Sequence, residues 1–130
     1  MSLLVFRIII FMTGIISIML GYSYSHELYG TTEAEVEQWG YFVQVLGFIM
    51  ICLIFNAKWE FFSKLLIYLN MLIQIPPIIL WFIFHGSIIT DWTYSPFIAH
   101  WAFSIPHILI FILCLVLLRH LNKSALIPSQ

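Results

Sequence analysis

Histidines are the residues best able to do chemistry in this chain, and two of them, His100 and His107, lie two helical turns apart in one apolar run. Ser104 falls between them, so all three share one helix face. A second run, 61–85, carries Ser63, Asn70, Gln74, Pro77, Trp81 and His85 at spacings of three, four or their sums, which again selects one face. Polar side chains inside lipid are costly and turn toward protein or water. The two faces therefore define a polar seam between neighbouring helices. At a rise of ~1.5 Å per residue, His107, Trp81 and Gln74 come within a turn or two of one depth. The ligand-binding candidates are His107, His100, Gln74, Trp81, Asn70 and Ser104. A quinone, a lipid or a haem is the class of small hydrophobic or redox ligand such a seam takes.

Other chemistries have weaker footing. His26, Glu27, His85, Asp91 and His100 fall at one membrane face and could supply metal ligands, but no spacing is diagnostic. His100 and His107 suit axial ligation of two haems, yet no second deep histidine partners His107 within the chain. Ser104 and His107 have no acid at their depth to complete a hydrolytic triad. A small transporter or channel fits the size, but an ion-coupled exporter wants an acid inside a span, and none is there. Cys52 and Cys114 form no CxxC and are expected as free thiols that pack as small apolar groups.

Prolines add a constraint on the same segments. Pro76 and Pro77 remove the donors that the carbonyls of Leu72 and Ile73 would receive, and Pro106 does so for Ala102. In lipid such carbonyls need other donors. Asn70, Gln74, Ser104 and His107 are the candidates.

The elements that must position these residues follow from composition. The chain has 130 residues, 62% hydrophobic and 8% charged, with mean hydropathy +1.03. Soluble domains carry about 25% charged residues. The chain therefore reads as an all-α integral membrane protein, one domain, a four-helix transmembrane bundle with spans at about 3–21, 39–56, 61–85 and 100–119. The first run reads as a signal anchor that stays as a span, with Arg7 reaching the near interface. Gly14, Ser17 and Gly21 share a face, as do Gly40, Gln44 and Gly47, and each face invites close helix approach. Thr32 and Glu35 fit a capping box at the start of the second helix. Tyr22, Tyr24, Tyr29 and Trp39 read as interfacial aromatics.

All five basic residues (Arg7, Lys58, Lys64, Arg119 and Lys123) fall on one side of this scheme, and every acid except Glu60 falls on the other. The positive-inside rule then puts both termini in the cytoplasm. Five basic residues make no nucleic-acid patch. The Arg7, Gly14 and Gly21 pattern opening a four-span chain resembles the first span of DoxX-type small membrane proteins; the resemblance covers that span alone and implies no site residue elsewhere. With no soluble domain, catalytic acid or cofactor motif, the expected role is an accessory, assembly or scaffold subunit. Its partners are the lipid bilayer and other membrane subunits or copies of itself.

Overall fold

The computed structural model describes residues 2–28, 33–52, 60–83 and 100–126, the side chains of 60, 61, 100, 101 and 124–126 excepted. Five α-helices are present among them: α1 Leu3–Ser25, α2 Ala34–Cys52, α3 Glu60–Ile73, α4 Ile75–Phe82 and α5 Ile105–Leu126, with a 3-10 segment, His100–Ser104, leading into α5. Among the described residues, three stretches are long and apolar enough to cross a membrane: Leu3–Ser25, Phe62–Phe82 (α3 and α4 together) and Ala102–Lys123. α2 is shorter, at 19 residues, and has Glu35 and Glu37 in its first turn.

Helix ends follow local chemistry. The Ser2 hydroxyl accepts from the Val5 amide at 3.3 Å and caps α1. At the other end Glu27 takes a left-handed conformation, φ 55°. The Leu28 amide donates to the Ser23 carbonyl at 2.9 Å and the Glu27 amide to the Tyr24 carbonyl at 3.4 Å, the two bonds of a Schellman stop. α1 thus runs past the expected end at residue 21 and carries Tyr24 and Ser25 into the bundle. Thr32 and Lys58 lie outside the described residues, and α2 begins at Ala34.

The prolines sit at helix starts. Pro76 and Pro77 occupy the first turn of α4, after a break at Gln74, where a missing amide costs least. The Gln74 amide donates to Met71 at 3.3 Å and the Ile78 amide to Gln74 at 3.1 Å, so the chain stays hydrogen-bonded across the break. Pro106 likewise falls in the first turn of α5, and the expected unbroken helix from residue 100 is a 3-10 segment followed by an α-helix.

The bundle is antiparallel between neighbours. α1 packs most extensively on α2, and α5 closes the ring by contacting both α3 and α1. Phe6 meets His120 with ring centroids 5.0 Å apart at one end, and Tyr24 meets His107 at the other. Arg7, Lys64, Arg119 and Lys123 gather at the first end; Glu27, Glu33, Glu35 and Glu37 gather at the second.

The outer surface is apolar, and several polar side chains are buried within a largely apolar core. Leu4 is 68% exposed, Met19 66% and Phe48 62%, while Thr13, Ser17, Asn70, Gln74 and His107 are wholly buried. An apolar perimeter with polar side chains turned inward is what lipid as solvent demands.

Glycines set the α1–α2 contact. Gly14 lies against the Gly47 carbonyl, and Gly21 against that of Gly40. The two facing pairs are one heptad apart on each helix, in the register of antiparallel partners. A Cβ added at Gly47 would stand 2.6 Å from the Gly14 carbonyl oxygen. Both glycine faces expected from the sequence meet each other here.

Candidate polar site inside the bundle

Every helix of the bundle contributes to one chain of hydrogen bonds through its centre. The Trp81 indole N–H of α4 donates to the Tyr24 hydroxyl of α1. The Tyr24 oxygen lies 2.8 Å from His107 Nε2 on α5, and His107 Nδ1 lies 2.7 Å from Gln74 Oε1. Gln74 Nε2 donates to Asn70 Oδ1 at 3.1 Å. Asn70 Nδ2 donates to Ser17 Oγ at 2.9 Å and to Met50 Sδ on α2 at 3.1 Å. The Ser17 hydroxyl donates to the Thr13 carbonyl at 2.8 Å, and that of Thr13 to the Ile9 carbonyl at 2.7 Å.

The polarity of this chain is fixed at both ends. An indole N–H only donates, so the Tyr24 oxygen accepts from Trp81 and the hydroxyl donates to His107 Nε2. The Ser17 hydroxyl spends its proton on the helix carbonyl one turn back, so its oxygen accepts from Asn70. Gln74 then presents Oε1 to the imidazole, which donates from Nδ1. His107 is the Nδ1–H tautomer, accepting at Nε2 and donating at Nδ1. From Tyr24 to Ile9 the line runs ~22 Å along α1, about three-quarters of a ~30 Å hydrocarbon core.

The prolines complete the site. The carbonyl of Ile73, freed by Pro77, accepts from the Trp39 indole N–H of α2 at 3.2 Å. Trp39 also meets the Tyr24 ring edge-on at 5.0 Å and the His107 ring at 5.7 Å. For the Ile73 carbonyl, then, the donor is Trp39 rather than Asn70, Gln74, Ser104 or His107. Near the acidic end, Gln44 Nε2 donates to Ser25 Oγ at 2.6 Å, a second polar tie between α1 and α2.

Of the residues singled out from the sequence, His107, Gln74, Asn70 and Trp81 come together in one network. Ser104 is buried at the end of the 3-10 segment, beside the Trp81–Phe103 ring contact at 4.7 Å. The backbone of His100 opens that segment. Tyr24, Trp39, Ser17, Thr13 and Met50 also belong to the site; from the sequence Ser17 reads only as part of a close-approach face and Tyr24 and Trp39 as interfacial aromatics, while Thr13 and Met50 carry no signal of their own. Thr13, Ser17 and Tyr24 are spaced by four and seven on α1, the signal that marks them as one face.

Among the weak metal candidates, His85 and Asp91 lie outside the described residues. His26 is exposed, stacked on Tyr22 at 3.9 Å and within 2.9 Å of Ser25 Oγ. Among the described residues, no three His, Cys, Asp or Glu side chains are grouped to hold a metal ion. Both ring nitrogens of His107 already have partners, so a haem iron there would have to displace one of them. Cys52 and Cys114 are free thiols; Cys114 packs in the core and Cys52 is exposed on α2.

No protein-family model matches this chain, and neither a curated protein nor a solved structure matches it.

Proposed function

We propose that this chain is a non-catalytic, four-span membrane subunit, an accessory, assembly or scaffold protein that packs on larger membrane partners or on copies of itself. One observation carries the reading: the polar residues of the core are spent on one another. A ligand site keeps polar groups aimed into a cavity; here they close a network linking α1, α2, α3, α4 and α5. A proton path is also poorly served. Hydroxyls and imidazoles pass protons along a chain, whereas the carboxamides of Gln74 and Asn70 stand in the middle of this one. Between its charged ends, the described surface exposes large apolar side chains on every helix, suited to lipid or to another membrane protein.

A second reading has its own observation. A cleft of about 150 Å³ lies at the Pro76–Pro77 turn, walled by Tyr24, Trp39, Val36 and Leu80. A small hydrophobic or redox ligand seated there would touch Tyr24 and so reach the seam.

Native mass spectrometry of the protein released from its own membrane in gentle detergent separates the two. The subunit reading expects an assembly of fixed stoichiometry. A protein that is monomeric throughout and carries a small molecule of constant mass would support the ligand reading instead.

In this proposal α2 is the fourth span, and both termini lie in the cytoplasm, on the side of the basic residues. Cysteines introduced as Glu35→Cys and Ser124→Cys, each in a background lacking Cys52 and Cys114, should react with an impermeant reagent from opposite sides of sealed membranes. Labelling of both from the same side would contradict the four-span topology.

A further inference from the structure

We propose that the groove between α3 and α5 at the basic end of the bundle binds one anionic phospholipid. The groove is about 440 Å³ and is lined by Tyr68 and Met71 from α3 and by Leu115, Leu118, Arg119, Asn122 and Lys123 from α5. Its two halves differ in chemistry. Tyr68, Met71, Leu115 and Leu118 offer a short apolar trough in which the head-group end of an acyl chain can lie. Arg119 and Lys123, four residues apart, stand on one face of α5 at its mouth, both exposed, with the Asn122 amide between them. Lys64 lies one turn from Tyr68 on α3, outside the lining residues. No carboxylate is among the described lining residues.

Depth agrees with this assignment. Arg119 and Lys123 lie ~18 and ~24 Å along α5 from His107. Since His107 belongs to the opposite end of the seam, the two cations reach the edge of a ~30 Å hydrocarbon core, where lipid phosphates sit. Basic pockets between transmembrane helices at such an edge hold anionic head groups. On the other flank of the same turn, Val116, Arg119, His120 and Lys123 line a smaller recess of about 300 Å³; its described lining comes from α5 alone and so forms no trough between two helices. The inference needs the helices to be in a bilayer and is independent of the subunit role.

The test uses the full-length protein in a neutral detergent, titrated with dioleoylphosphatidylglycerol and read by native mass spectrometry. One tightly held lipid per chain is expected, with dioleoylphosphatidylcholine at least ~10-fold weaker, as the loss of net charge at a basic site requires. Arg119→Gln with Lys123→Gln should weaken phosphatidylglycerol roughly 30-fold at about fivefold per cation, and the charge-keeping pair Arg119→Lys with Lys123→Arg should hold it. Leu115→Trp, at an exposed position, should fill the trough and weaken binding with both cations intact. Circular dichroism confirms that each variant is folded. Equal binding of the two lipids would overturn the proposal. So would an equal loss from Arg7→Gln, which removes a charge at the same end outside the groove, or displacement of the lipid by inorganic phosphate, which would mark a free-anion site.

Discussion

Gly40→Val will force α1 and α2 apart and destabilise the bundle by about 3 kcal/mol, the upper part of the range for overpacking. A Cβ at residue 40 would stand 2.6 Å from the Gly21 carbonyl oxygen and 2.7 Å from the Ser25 amide nitrogen. Both obstacles are backbone, so neither can turn aside as a side chain would. Moving the helices also stretches the Gln44–Ser25 bond and opens the matching contact of Gly14 with Gly47. Reversible unfolding in mixed micelles reads the effect. Phe48→Leu, on the outward face of the same helix, is the control and should change stability by less than about 0.5 kcal/mol. A Gly40→Val protein as stable as the control would mean the two helices do not touch at this register.

The second large effect belongs to His107. His107→Leu removes the acceptor for the Tyr24 hydroxyl and the donor to Gln74 Oε1 at once, and the cost should reach about 2 kcal/mol, the top of the range for interhelical hydrogen bonds in membranes. His107→Gln can still accept from Tyr24 and donate to Gln74, and should retain most of the stability. If His107 instead served a ligand or a proton path, both variants would assemble normally and both would lose function, the glutamine as completely as the leucine.

Much of this site is legible in the sequence because helical periodicity survives when lipid replaces water. Asn70, Gln74 and Trp81 repeat every three or four residues, or their sums, in an apolar run, and one face is the only inexpensive place for them. The glycine faces of α1 and α2 were readable for the same reason. Tyr24 and Trp39 were not. Aromatics near the ends of apolar runs usually anchor at the interface, and nothing local to them shows that Tyr24 sits opposite His107 or that Trp39 reaches the Ile73 carbonyl. Those facts depend on the axial register between helices, which no single segment of the sequence encodes. The positions of the helix breaks were also hidden. Proline announces a missing donor, but whether the helix kinks or restarts depends on the neighbours that satisfy the freed carbonyl.

The claim that the seam is a lock between helices is tested most directly by the coupling between Tyr24 and His107. A double-mutant cycle of Tyr24→Phe and His107→Leu, read as unfolding free energy in mixed micelles, isolates the bond between them. A coupling of about 1 kcal/mol is expected, within the range found for hydrogen bonds between transmembrane helices. Strict additivity of the two changes would contradict it, and the polar line through this bundle would then hold nothing together.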